Sequence, residues 1–208
     1  MRLLVIDTAT QALSVALLED GQVIGRFHQV VGRGHAEALL PAIAALPDGG
    51  RADAIAVDVG PGSFTGVRIG IAAARALALA WNIPIHGYSA PSLIAAMAAK
   101  NHGDGAIAVT ITGGHGELFW QCFTADGLTA TNGIASTPIA ELAGLLDIAT
   151  LYGTGAEALI TARGMGQAVS LYPDAADYGL IATVAPLPPS PIYGRGADAK
   201  TMAERAAS

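Results

Sequence analysis

The chain has 208 residues, enough for one large domain or two small ones with a sizeable core. Hydrophobic residues make up 52% and charged residues only 13%, so polar surface is scarce and some apolar surface is expected to meet a partner. The net charge is −6 and the 11 basic residues are scattered singly, which argues against a nucleic-acid groove of the chain's own.

The first thirty residues predict a β-meander. Residues 3–6 form an apolar run, Leu13, Val15 and Leu17 alternate with smaller residues, and Glu19-Asp20-Gly21 supplies a tight turn into 23–30. Leu39, Leu40, Ile43 and Leu46 recur at helical spacing over 35–46, and Pro47-Asp48-Gly49-Gly50 ends that helix. A buried strand over 54–59 leads through the glycine-rich turn 60–66 into a helix over 67–81, a short strand over 83–86 and a helix over 90–100.

The polar stretch Asn101-His102-Gly103-Asp104-Gly105 is the expected boundary between an N-terminal domain, 1–104, and a C-terminal one, 105–208. At an offset of 106 residues, Leu3 falls on Val109, Val5 on Ile111, Leu13 on Phe119, Leu17 on Phe123 and Asp20-Gly21 on Asp126-Gly127. This reads as a duplicated unit of strand, turn, strand, Asp-Gly and strand. Helices over 139–146, 155–163 and 175–184 and a strand over 149–152 complete the pattern. Two such halves predict α/β architecture on the actin-like, ribonuclease-H-like (ASKHA) duplicated plan, with mixed sheets covered by helices.

Asp7-Thr8-Ala9-Thr10 ends the first strand, where a carboxylate and hydroxyls either face a phosphate or magnesium ion or satisfy backbone groups of the turn. The second copy has Gly113 in place of Asp7, so half of a nucleotide clamp is missing. In the turn of Gly60, Pro61, Gly62, Ser63, Phe64, Thr65 and Gly66, Ser63 or Thr65 can cap the next helix, whose free amides favour an anion. Tight strand-helix packing explains the same glycines, and no Gly-Lys-Ser or Gly-Lys-Thr makes this a P-loop. The helix over 67–81 bears only Arg68 and Arg75 as charges, seven residues apart, and is apolar nearly all round. It is either central to the core or covered by another chain, and we favour a helix-bundle interface shared with 35–46.

His35 has Leu39 four residues on, and His28, His86, His102 and His115 show no ligand spacing, so no metal site is expected. No Gly-x-Ser-x-Gly elbow occurs. The most apolar stretch, 69–85, is interrupted by Arg75 and Asn82 and falls short of the roughly 20 residues a bilayer requires, so no membrane span is expected. Only four apolar residues separate Met1-Arg2 from Asp7, which argues against a secretory leader, and the single Cys122 cannot form an intrachain disulfide. A cytoplasmic location is the resulting expectation, with Cys122 an inert core residue.

Three blocks, Val5-Ile6-Asp7-Thr8-Ala9-Thr10, Gly34-His35-Ala36-Glu37-Ala38-Leu39-Leu40-Pro41 and Gly60-Pro61-Gly62-Ser63-Phe64-Thr65-Gly66-Val67-Arg68-Ile69-Gly70, together resemble the TsaB (YeaZ) family. The resemblance is close over residues 1–100 and looser beyond. It implies a non-catalytic pseudo-enzyme with the fold of the catalytic subunit TsaD. That pseudo-enzyme pairs with TsaD through its first two helices, and with itself as a homodimer when alone. With TsaE, an ATPase, the complex transfers a threonylcarbamoyl group to adenosine 37 of tRNA, which this subunit meets only indirectly. On this resemblance the partner interface maps to His35, Leu39, Leu40, Ile43, Val67, Arg68, Ile71 and Arg75. The resemblance also implies no cofactor on this chain alone, with nucleotide at the subunit junction left open. The histidine pair of the catalytic relative has no counterpart between Tyr88 and Ile94, and the family's Asp-Ala-Arg-like segment is replaced by Thr112-Gly113-Gly114-His115-Gly116-Glu117. Two other readings stay open: an actin-like ATP-dependent kinase of a small molecule, using Asp7 and the 60–66 turn, and a metallopeptidase-like protein.

Overall fold

The computed structural model describes residues 1–102 and 105–194. The opening meander forms as expected. β1 (Arg2–Asp7) pairs antiparallel with β2 (Ala12–Glu19), and β2 with β3 (Gln22–Val30). Asp20 and Gly21, which join β2 to β3, both have positive φ, the left-handed pair that matches the twist of a tight hairpin. After α1 (His35–Ala44) the chain crosses over to β4 (Ala54–Asp58), which lies parallel beside β1. α2 (Phe64–Trp81) then leads to β5 (Ile85–Tyr88), parallel beside β4. The sheet order is β3-β2-β1-β4-β5.

α3 (Ala90–His102) leads to the second sheet. Its strands are β6 (Ile107–Thr112), β7 (Glu117–Phe123), β8 (Ala135–Pro138), β9 (Thr150–Tyr152) and β10 (Gln167–Val169), with α4 (Ile139–Leu145) and α5 (Ala156–Arg163) between them. The order is β8-β7-β6-β9-β10, the first sheet's order with the same antiparallel and parallel partners. Two mixed sheets of one topology, each with helices, make the actin-like duplicated fold expected from the sequence.

Several boundaries differ from expectation. α2 begins at Phe64 instead of Val67, because Ser63 caps it, its Oγ accepting from Gly66 N at 3.2 Å. β5 starts two residues late because Ile83 N still donates to Ala78 O, which holds Ile83 in the helix terminus. In the second half Asp126-Gly127 turns the chain, but β8 begins only at Ala135, after an isolated bridge between Phe123 and Ala130. Residues 175–184, expected as an α-helix, form a 3₁₀ segment, Ala175–Ile181, capped by Asp174 and pinned by Tyr178 and Asp177 to other elements.

The boundary placed at 104/105 separates the two sheets, with Gly103 and Asp104 themselves outside the described residues. Packing, however, returns residues 174–193 to the first sheet. Asp174 ion-pairs with Arg26 and accepts from Ser14 Oγ at 3.3 Å. Tyr178 Oη lies 2.9 Å from His86 Nε2, and Lys100 donates to Asp177 at 3.0 Å. Gly87 and Leu187 exchange backbone hydrogen bonds of 2.7 and 2.8 Å, and Ile192 N donates to Val59 O at 2.8 Å.

α1 and α2 cover one face of the first sheet. α3 packs between the sheets, with Ile94 in one buried cluster alongside Val57 of β4 and Val109 of β6. Truncating a fully buried Ile leaves a cavity and loses about 2–5 kcal/mol. Ile94→Ala is therefore expected to lower stability by about that amount, read as a shift in urea midpoint at unchanged slope.

Candidate functional site

The end of β1 and the start of α2 touch without a side chain's width between them. A Cβ on Gly62 would stand 2.1 Å from Ala9 O, and one on Gly66 would stand 2.1 Å from Thr8 O. Thr8 Oγ1 donates to Gly66 O at 2.8 Å, and Ser63 N donates to Ala9 O at 2.7 Å. The glycines of this turn thus serve close packing, one of the two readings left open above.

This packing seals off Asp7. Its side chain and those of Asp58 and Tyr88 are buried together. Asp7 Oδ1 accepts from Ala9 N at 3.2 Å and Oδ2 from Tyr88 Oη at 3.1 Å, while the Asp58 carboxyl faces it. Asp58 Oδ1 accepts from Gly60 N at 2.8 Å, and the Ala90 backbone and the Asp7 carboxyl lie beside the same group. Burial pushes Asp7 up to about 7, and burial plus the neighbouring Asp7 charge push Asp58 well above the usual carboxylate range. Burial likewise raises the Tyr88 phenol, which stays a donor. Of the two readings left open for the end of β1, the structure favours the one in which its polar groups satisfy partners within the protein, since Asp7 and Thr8 are buried and hydrogen-bonded there. Gly60 and Gly66 are buried as well, and only Gly62, Ser63 and Thr65 of the proposed anion loop reach open space.

That open space is a cleft of about 820 Å³ between the two halves. Its first wall is the β1–β2 turn and the start of α2 with Arg68. Its second wall is the β6–β7 turn with Phe119 and Thr154, and Ile192 and Tyr193 close one side. Arg68 stacks over Phe64, 3.2 Å from the ring centroid, and donates to Tyr193 Oη at 2.6 Å. Among the described residues no group of three His, Cys, Asp or Glu side chains gathers to hold a metal.

The expected partner face divides in two. His35, Leu39, Ile43, Val67 and Ile71 are buried in the protomer's own core and present no side chain to a neighbour, because they sit on the sides of α1 and α2 that cover the sheet. Arg68 belongs to the cleft. Leu40 is 55% exposed and Leu79 85% exposed, and Ala72, Arg75, Ala76 and Ala80 are exposed along α2. Arg75 donates to Pro189 O at 2.7 Å. By length and composition α2 could cross a membrane, yet its inner side packs on β4 and β1.

A family model described as TsaD: tRNA N6-adenosine threonylcarbamoyltransferase matches residues 25–178. The tRNA threonylcarbamoyladenosine biosynthesis protein TsaB of Escherichia coli is 40% identical over 131 residues, covering 61% of this chain and 56% of that protein. TsaB of Bacillus subtilis is 36% identical over 125 residues, covering 57% of this chain and 53% of that protein. The chain thus spans about half the length of the curated relatives it matches. The solved structure of YeaZ from Pseudomonas aeruginosa superposes with a TM-score of 0.78 at 30% identity, over 92% of this chain and 99% of that one. The chain belongs to the TsaB (YeaZ) family. The ethanolamine utilization protein EutJ from Carboxydothermus hydrogenoformans, at 13% identity and a TM-score of 0.50, shares the fold alone.

In this TsaB-family chain, the block from Gly60 to Gly70 is explained by contact: Gly62, Gly66 and Gly70 all lie against residues 8–9 of the chain. Sequence reasoning missed Asp58 and Tyr88. Asp58 had a legible signal, since β1 and β4 both end an apolar run on aspartate, and the parallel register that sets Ile6 beside Val57 makes those aspartates neighbours.

The carboxyl pair has a consequence for stability. Both folded pKa values lie above the unfolded value of about 3.9, so folding takes up protons, and the stabilisation is full at low pH and lost as pH rises through the folded values. Between pH 5 and 7, stability is expected to fall by about 1.4 kcal/mol per pH unit for each proton held. Asp58→Asn, whose amide can donate to Asp7 while its oxygen keeps Gly60 N, should flatten that dependence in urea titrations run across the same range.

Proposed function

We propose that this chain is a non-catalytic subunit in tRNA threonylcarbamoyladenosine biosynthesis, docking on the transferase TsaD and acting with the ATPase TsaE. The observation that carries the reading is the exposed apolar side of α2, with Leu79 at its far end and Leu40 on the neighbouring helix. A soluble domain leaves such a stripe bare only where another surface covers it. The match of a transferase family model to most of the chain supports pairing between two subunits of one fold, through equivalent helices. The same stripe serves two copies of this chain when TsaD is absent.

Supporting the non-catalytic role, Asp7 is locked behind the Thr8–Gly66 contact, so the carboxylate that a kinase of this fold needs is withdrawn from the cleft. tRNA phosphates fall to the partner, since this chain has a net charge of −6. A few hundred Å² of apolar surface at about 25 cal/mol per Å² contributes several kcal/mol before the costs of association, enough for a heterodimer.

Leu79→Glu and Leu40→Glu are expected to abolish co-elution with TsaD while leaving the thermal midpoint unchanged, because both side chains are exposed in the protomer. Reconstituted tRNA modification should fail when this subunit is omitted or carries either change. Co-elution at the unsubstituted level would remove the helical face from the account.

A further inference from the structure

We propose that Arg75 selects what docks on the exposed side of α2, and that the partner seated there presents a carboxylate to it. The inference rests on the docking on TsaD proposed above and adds the charge that the docked surface must carry. α2 bears two charged side chains, Arg68 and Arg75. Arg68 is turned onto Phe64 and Tyr193 at the cleft, which leaves Arg75 as the one charge on the exposed side, among Ala72, Ala76, Leu79 and Ala80.

The way its guanidinium is held separates Arg75 from the chain's structural arginines. Arg163 donates from Nε, Nη1 and Nη2 to the carbonyls of Met165, Leu146 and Ile148, at 3.0, 2.7 and 2.9 Å, and Arg2 and Arg26 each reach a carboxylate. Arg75 uses only Nη2, donating to Pro189 O at 2.7 Å and to Ser190 Oγ at 3.4 Å, and forms no ion pair among the described residues. The Pro189 carbonyl fixes the guanidinium in place and leaves Nε and Nη1 for an acceptor from outside, so little side-chain freedom remains to be lost on binding.

A surface that covers the apolar stripe also covers Arg75. Water then leaves a cation whose charge nothing in its own chain offsets, and sealing it against apolar groups alone opposes docking. A carboxylate facing it removes that penalty through a charge-assisted hydrogen bond, and surfaces lacking one are turned away. The apolar neighbours of Arg75 speak against a nucleic-acid backbone as the occupant, since that needs several cations together. Within α1 and α2 the sole acid is Glu37, in the first turn of α1, where the helix dipole accounts for it.

The test is titration calorimetry of this chain against TsaD, using Arg75→Gln, Arg75→Lys and Arg75→Glu, each checked for an unchanged thermal midpoint. Arg75→Gln, whose amide can still donate to Pro189 O, should weaken binding about tenfold or more, Arg75→Lys less, and Arg75→Glu about a hundredfold. Against the Arg75→Glu chain, one Asp or Glu to Lys reversal on the two equivalent helices of TsaD should restore binding, which a structural role for Arg75 would not allow. Arg75→Lys and the reversal pair decide the matter should Arg75→Gln fold poorly. Unchanged affinity in Arg75→Gln while Leu79→Glu abolishes binding would keep the helical face and overturn the carboxylate. Failure of every reversal would overturn it too. So would loss of self-association in both Arg75→Gln and Glu37→Gln with TsaD binding untouched, because the guanidinium would then serve a second copy.

Discussion

The approach of α2 to the end of β1 is the constraint on which the rest of the molecule depends. With Gly62 and Gly66 pressed onto the carbonyls of Ala9 and Thr8, and Thr8 Oγ1 tied to Gly66 O, the helix axis has one available position. That position decides which side of α2 covers β1 and β4 and which side is left to solvent. It also sets the first wall of the cleft, because Ser63, Thr65 and Arg68 follow from the helix's start. Larger residues at those glycines would push the helix outward and open all three features at once.

The second half repeats the device. Gly153 approaches Thr110 O, and Gly155 lies against Leu118 and the backbone of residues 110–111, as Gly62 and Gly66 do against residues 8 and 9. What the second half does not repeat is the acid: β6 ends on Thr112, followed by Gly113, and α5 is short. The first half has in turn withdrawn its own acid by pairing Asp7 with Asp58 and Tyr88 under the sheet's end. A carboxyl group buried in a dry site contributes to packing and hydrogen bonding and is withheld from an incoming ligand. The duplicated architecture thus presents a cleft lined by neutral and basic side chains, with no Asp or Glu among its described lining residues.

Much of this was legible in the sequence because it rests on local patterns. Strand alternation, the Asp20-Gly21 turn and the glycine-rich block each carry their structure within a few residues, and the repeat at an offset of 106 announced two halves of one plan. What was not legible depends on the register between distant strands. Nothing local says that His35, Leu39, Ile43, Val67 and Ile71 turn inward while Leu40 and Leu79 turn outward. A helix apolar nearly all round has no polar stripe to announce its outer side, and only the sheet beneath it decides. Asp58 was passed over for a related reason, since its meaning arises only when β4 lies beside β1. The three-residue β10 and the four-residue β8 are too short to show a period, and the 3₁₀ segment after Asp174 was misread because its fixed points, His86 and Lys100, lie far back in the chain.

The return of residues 174–193 to the first sheet has a bearing on biosynthesis. β1 to β5 leave the ribosome early and can pair among themselves, yet the face beneath Ser14, Arg26 and His86 and the open edge at Gly87 wait for Asp174, Tyr178 and Leu187. Until translation has passed Ile192, the nascent first half carries a bare edge strand of the kind that attracts stray chains. Folding of the earlier half is thus completed by the later one, and a ribosome stalled between them would present a sheet that chaperones must shield.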